Sequence, residues 1–154
     1  MKKIYLMRHG QAEAYAASDA ERQLTDKGVA QSRSMSVHLQ ADPPAKVIAS
    51  PLVRACQTAF NVVEPLQHDV PFDTCDLLTP DEDPRRVTEW LATLPDVGPV
   101  LLVSHNPLAS LLVSWLVHGH LQGTLSMATA DIVCLSIGEP GPGTATLEWY
   151  EQAP

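Results

Sequence analysis

The sequence is short of positive charge. Its 154 residues include 10 Lys and Arg against 18 Asp and Glu, which gives a formal net charge of −8. A chain of this charge without a basic cluster is a poor candidate for a nucleic-acid partner or for an anionic membrane surface. Long apolar runs are also missing, so we expect neither a membrane span nor a secretory signal.

Cysteine is scarce as well, and Cys56, Cys75 and Cys134 are widely spaced. This odd number does not suit a disulfide framework and predicts reduced, buried thiols in a cytoplasmic protein. No grouping of His, Cys, Asp and Glu has metal-ligand spacing, and we expect no metal and no other cofactor. Apolar residues make up 45% of the chain, and the length suits a single domain spanning residues 1–154.

Three short apolar runs, at residues 4–7, 47–49 and 100–103, predict strands buried on both faces of a parallel sheet. Helical patterns alternate with these runs and are expected over residues 26–39, 50–63, 83–94 and 106–116. Ser50, Asp83 and Asn106 are the expected N-caps of the last three, each followed by a proline at the first helical position. Residues 130–137 and 144–149 predict a C-terminal hairpin. The pattern predicts a three-layer α/β/α sandwich with a mostly parallel central sheet.

The ends of the three predicted strands carry residues suited to an anion. They are Arg8-His9-Gly10, then Ser50-Pro51 with Arg54 in the following helical turn, then Ser104-His105-Asn106-Pro107. Ligands of such sheets bind at the carboxyl ends of the strands, where helix N-termini present unpaired N–H groups. The sequence therefore predicts a site for phosphate at this edge of the sheet.

These segments resemble the signatures of the histidine phosphatase superfamily, which includes the phosphoglycerate mutases. The likeness is greatest to the SixA-type phosphohistidine phosphatases, which also have a stretch similar to residues 17–25, and it covers about residues 1–137. The resemblance implies a phosphoglycerate mutase-like fold. It also implies a mechanism in which His9 takes the phosphoryl group covalently and water then removes it.

The residue types suit this chemistry. A neutral imidazole is a good nucleophile near its pKa of about 6.5, so we expect His9 to attack, with a partner such as a backbone carbonyl on its other nitrogen. Phosphoryl transfer needs alignment and neutralised charge, which Arg8, Arg22 and Arg54 would supply by binding phosphate. His105, protonated when phosphate is bound, would add a donor. We expect the loop at residues 11–24 to place Arg22 over the site.

An acid that protonates the leaving group is not evident. The candidates are Asp76, Asp81, Glu82 and Asp83, of which Asp83 is better interpreted as a helix cap. Residues 61–99 leave little room for a lid, and an imidazole leaving group needs an acid less than an alkoxide does. These points favour a metal-independent phosphatase acting on a phosphohistidine of a phosphotransfer protein. A broad phosphomonoesterase using one of these carboxylates and a non-catalytic phosphate-recognition domain are the alternatives. We expect His38, His68, His118 and His120 to be structural.

Overall fold

The central sheet has six strands in the order β3-β2-β4-β1-β5-β6 in the computed structural model, which describes residues 1–67, 69–123 and 125–154. The strands are β1 (Lys2–Arg8), β2 (Lys46–Ala49), β3 (Phe72–Thr74), β4 (Val100–Ser104), β5 (Ile132–Ile137) and β6 (Ala145–Glu151). The four strands from β3 to β1 are parallel, whereas β5 and β6 run antiparallel to their neighbours. The predicted mostly parallel sheet and the C-terminal hairpin are confirmed.

Helices cover both faces of the sheet. They are α1 (Asp26–Ser34), α2 (Val53–Val63), α3 (Pro84–Leu91) and α4 (Leu108–His118), and α1 continues as a 3-10 helix over Met35–Leu39. Shorter 3-10 turns lie at Asp19–Glu21, Glu64–Leu66 and Asp76–Leu78. Alternate residues of β1 face opposite layers: Ile4 packs in a core with α3 and α4, and Tyr5 in a core with α2 and the 3-10 extension of α1. The three-layer sandwich predicted from the sequence is confirmed.

Four local predictions need correction. The edge strand β3 was not predicted, because it has only three residues and two of them, Asp73 and Thr74, are exposed. The second helix begins at Val53 rather than Pro51, since the N–H of Ser50 still donates to the Val103 carbonyl and so prolongs the strand ladder.

The fourth helix begins at Leu108, with Pro107 at the N-cap position. Asn106 instead uses its side chain across the loop, donating to the Met127 carbonyl at 2.8 Å and accepting from the hydroxyl of Ser110 at 2.6 Å. Asp83 is the N-cap of α3, as expected, and accepts from the N–H of Arg85.

Cys56 and Cys75 are partly exposed rather than buried, and the three cysteines are unpaired. His68 lies outside the described residues.

Two glycines bring α1 against the end of β1. A Cβ atom on Gly10 would lie 2.6 Å from the carbonyl oxygen of Gly28, and one on Gly28 would lie 2.0 Å from that of Gln11. Side chains at either position would therefore push the helix away from the segment that carries His9. In the part of the chain that the structure describes, no helix combines the length and apolar character needed to cross a membrane.

Candidate active site

The parallel register of three adjacent strands brings the predicted residues to one edge of the sheet. Arg8 at the end of β1 pairs with Ser104 at the end of β4, and the N–H of His9 continues the ladder to the Ser104 carbonyl at 3.0 Å. His9 and His105 therefore follow neighbouring strands, and their ring centroids are 5.0 Å apart. Arg54 enters from the first turn of α2, next to β2.

His9 is held in one tautomer. Its Nδ1 lies 2.7 Å from the carbonyl oxygen of Gly10, and because a carbonyl can only accept, Nδ1 carries the proton. The lone pair is then on Nε2. Burial lowers the pKa of His9 to about 4, and the positive charges of Arg54, Arg8 and Arg22 act in the same direction against the Gly10 hydrogen bond. The ring is thus neutral at physiological pH, as a nucleophile requires.

His105 is the more deeply buried of the two rings, with 1% of its surface exposed. Burial lowers its pKa to about 3, assisted by His9 and Arg54 and opposed by Asp19. Neither ring nitrogen has a hydrogen-bond partner among the described protein groups. A bound anion would favour the charged form, so protonation of His105 in a phosphate complex stays a prediction.

Asp19 joins two of the predicted arginines. One oxygen of its carboxylate accepts from Nη1 of Arg22 at 2.9 Å, and the other accepts from Nη2 of Arg54 at 3.2 Å. The Asp19 carbonyl also accepts from Nη1 of Arg54 at 2.8 Å. These bonds connect the loop of residues 11–24 to the first turn of α2, and Arg22 and Arg54 share the carboxylate of Asp19. Hydrogen bonding to Arg22 holds the pKa of Asp19 below its usual value.

Arg8 is anchored from the opposite side, by a bond from Nη1 to the Met127 carbonyl at 3.0 Å. The segment that carries Met127 is fixed by Asp131, which is 1% exposed and accepts from the N–H groups of Ala128 and Ala153 and from the hydroxyl of Tyr150. Sequence reasoning missed this support. A lone aspartate at the start of the apolar run at residues 130–137 was the available signal.

Unpaired nitrogens converge at this edge of the sheet. Over the described ranges, the buried side-chain nitrogens without a partner are Nε of Arg8, Nε of Arg54 and both ring nitrogens of His105. Buried polar groups are otherwise paired in folded proteins, so such a set marks a place for a ligand with several acceptor oxygens. A tetrahedral oxyanion has that chemistry. Among residues 1–67, 69–123 and 125–154, no group of three or more His, Cys, Asp or Glu side chains is arranged to hold a metal ion.

The candidate acids lie on the segment that leads into α3. Asp83 is engaged by the backbone and side chain of Arg85, which hold its pKa below the usual value, and Glu82 forms an ion pair with Arg86 at 3.2 Å. Helix α3 buries Val87 in the core, so this segment forms part of a layer of the sandwich.

Comparison with known proteins shows the family to which this chain belongs. The family model described as histidine phosphatase superfamily (branch 1) matches residues 4–79. The phosphohistidine phosphatase SixA of Escherichia coli is 34% identical over 146 residues, which is 92% of this chain and 89% of that protein. The SixA homolog of Haemophilus influenzae is 34% identical over 122 residues, 72% of this chain and 74% of the homolog.

A solved structure agrees with these relatives. The protein histidine phosphatase SixA complexed with tungstate matches with a TM-score of 0.87 and 33% identity, covering 97% of this chain and 96% of that one. The chain belongs to the histidine phosphatase superfamily. Within it, the chain is a SixA-like phosphatase, a hydrolase with the phosphoglycerate mutase-like fold.

Proposed function

We propose that this phosphatase removes phosphate from a histidine of a phosphotransfer protein through a covalent phosphohistidine intermediate on His9. The observation that carries the proposal is the tautomer of His9, whose Nδ1–H is tied to the Gly10 carbonyl at 2.7 Å. This bond leaves a neutral Nε2 with a free lone pair among arginine side chains. The names of the SixA relatives support phosphohistidine as the substrate.

The first step transfers the phosphoryl group to the enzyme. Nε2 of His9 forms a bond to phosphorus while the P–N bond of the substrate breaks. The departing ring, which carries a proton on its other nitrogen, keeps the electron pair of the broken bond and leaves as a neutral imidazole. Arg8, Arg54 and His105 bind the equatorial oxygens through their unpaired buried nitrogens, because phosphoryl transfer develops charge on those oxygens. Arg22, which Asp19 holds beside Arg54, joins them in binding phosphate. In the second step a water oxygen bonds to phosphorus and the P–Nε2 bond breaks. Its electron pair returns to Nε2 of His9, and phosphate leaves with the protons of the water.

The state of the carboxylates supports an imidazole leaving group. A general acid that protonates an alkoxide needs a raised pKa, whereas Arg85 lowers the pKa of Asp83, and Glu82 is in an ion pair with Arg86. A histidine ring that leaves as neutral imidazole, whose conjugate acid has a pKa of about 6.5, needs no such acid. The SixA relative that was solved as a complex with tungstate supports the binding of an oxyanion by this protein. The three unpaired cysteines support a reducing, cytoplasmic setting.

The test offers a phosphohistidine protein and an alkyl phosphate ester side by side to the wild type, to His9→Asn and to the control His118→Asn. His118 is exposed at the end of α4. We expect turnover of the phosphohistidine protein well above that of the ester, loss of turnover in His9→Asn, and wild-type rates in His118→Asn. Ester turnover equal to or above phosphohistidine turnover would overturn the substrate assignment, and turnover that survives in His9→Asn would overturn the nucleophile.

A further inference from the structure

The peptide unit that joins Gly10 to Gln11 carries hydrogen bonds at both ends. Its carbonyl oxygen accepts from Nδ1 of His9 at 2.7 Å, and its N–H, which belongs to Gln11, donates to Oε1 of Gln31 at 3.1 Å. Gln31 lies on α1, a layer away from the strand that leads to His9. One planar group therefore connects a helix side chain to the ring of the proposed nucleophile.

We propose that Gln31 is a positioning residue that selects the Nδ1–H tautomer of His9 through this peptide. This inference rests on the proposed role of His9 as the nucleophile. Because the peptide is planar, a bond that fixes its N–H also fixes the direction of its carbonyl. Hydrogen bonds in such a chain also polarise one another, so the bond to Gln31 makes the Gly10 carbonyl a better acceptor for the ring.

Gln31 is itself held in place. It is only 8% exposed, its Oε1 also accepts from the hydroxyl of Thr129 at 3.4 Å, and its Nε2 donates to the carbonyl of Pro154 at 3.5 Å. The close approach of Gly28 to the backbone that follows β1 brings α1 near enough for the glutamine to reach. The charged groups that influence His9, namely Arg8, Arg22 and Arg54, come from β1, the loop of residues 11–24 and α2. None of them is on α1.

A matched glutamine provides the control. Gln57 on α2 also accepts a backbone N–H through its Oε1, from Leu24 at 2.8 Å, at the other end of the same loop. The peptide that it binds has no bond to His9. Gln57→Met therefore removes the same kind of hydrogen bond as Gln31→Met without touching the Gly10 carbonyl.

The test is long-range proton–nitrogen NMR of the unliganded protein at neutral pH, which reports the ring nitrogen of His9 that carries the proton. We expect Nδ1–H alone in the wild type and in Gln57→Met, and a mixture with Nε2–H in Gln31→Met. Gln31→Glu keeps an acceptor oxygen and should keep the wild-type tautomer. With phosphohistidine as substrate, Gln31→Met should lower kcat by about tenfold while KM stays within about twofold. The expected loss is taken from metal-ligating histidines, where removing the group that orients the ring costs at least about tenfold.

The wild-type tautomer in Gln31→Met would overturn the proposal, as would a mixed tautomer in Gln31→Glu. The wild type alone also tests it, since a proton found on Nε2 of His9 would overturn it without any variant. The NMR measurement does not depend on turnover. Failure of the phosphatase proposal can therefore be distinguished: His9 would never be phosphorylated, while the tautomer of His9 would still change in Gln31→Met.

Discussion

Acidification should destabilise this protein well before its carboxylates titrate. Burial is the main reason why the pKa of His9 is lowered to about 4 and that of His105 to about 3. His9 is 8% exposed and His105 is 1% exposed. In the unfolded chain both rings have a pKa of about 6.5. Between those values the unfolded state binds more protons than the folded state, so stability falls as the pH falls below about 6.5.

The size of the effect follows from these values. At pH 5, about 1.5 units below the unfolded pKa, each histidine that stays neutral in the folded state lowers the free energy of unfolding by about 2 kcal/mol relative to pH 8. The two histidines together lower it by about 4 kcal/mol. That is a large fraction of the ~5–15 kcal/mol that usually stabilises a domain. Carboxylates with lowered pKa values, such as Asp19, lose their contribution only below about pH 4, outside this window.

The assay is urea denaturation followed by circular dichroism at pH values from 8 to 5, in buffers free of phosphate and sulfate. The wild type should lose about 4 kcal/mol over this range, each of His9→Asn and His105→Asn about 2 kcal/mol, and the double variant little of it. A wild-type loss below about 1 kcal/mol, or equal losses in the wild type and the double variant, would refute the reasoning.

Three further predictions concern the site and its support. Arg54→Lys should lower kcat/KM for phosphohistidine by about 100-fold or more, because lysine keeps the charge but lacks the planar fork whose Nε is unpaired here; a loss below about threefold in steady-state kinetics would contradict this. Asp19→Ala should raise KM severalfold, because Arg22 and Arg54 both lose the carboxylate that holds them. Glu21→Ala loses only a bond to a serine hydroxyl and should have the KM of the wild type. Equal KM values for the two variants would contradict this role of Asp19. Gly28→Ala should destabilise the fold by about 1–3 kcal/mol or more in urea denaturation, since its Cβ would lie 2.0 Å from a backbone carbonyl oxygen, and a neutral change would be inconsistent with that contact.

Much of the fold and the place of the site could be predicted because local patterns determine them. Continuous apolar runs identify buried parallel strands, and the carboxyl ends of such strands share an edge. Arg8-His9 and Ser104-His105 were therefore expected at one edge, and the pairing of β1 with β4 makes them neighbours. The sequence also predicted a backbone carbonyl as the partner of His9 without identifying it, and in the structure that carbonyl belongs to the adjacent Gly10.

What could not be predicted depends on contacts between distant segments. Arg8 binds the carbonyl of Met127, which is 119 residues away, and any residue type offers a carbonyl, so the sequence has no mark of this partner. The hydrogen bond between Asp19 and Arg54 likewise joins residues that lie 35 positions apart in the sequence. The edge strand β3 owes its form to pairing with β2 rather than to an alternating pattern of its own.

The central claim is that His9 carries the phosphoryl group during turnover. Radiolabelled phosphohistidine protein should be mixed with the enzyme, quenched in alkali within the first turnover, and the enzyme digested to locate the label. The account predicts a label on His9 that is stable in alkali and lost in acid, as a phosphoramidate is, and none in His9→Asn. Turnover that proceeds with no labelled enzyme, or with the label on a residue other than His9, would contradict it.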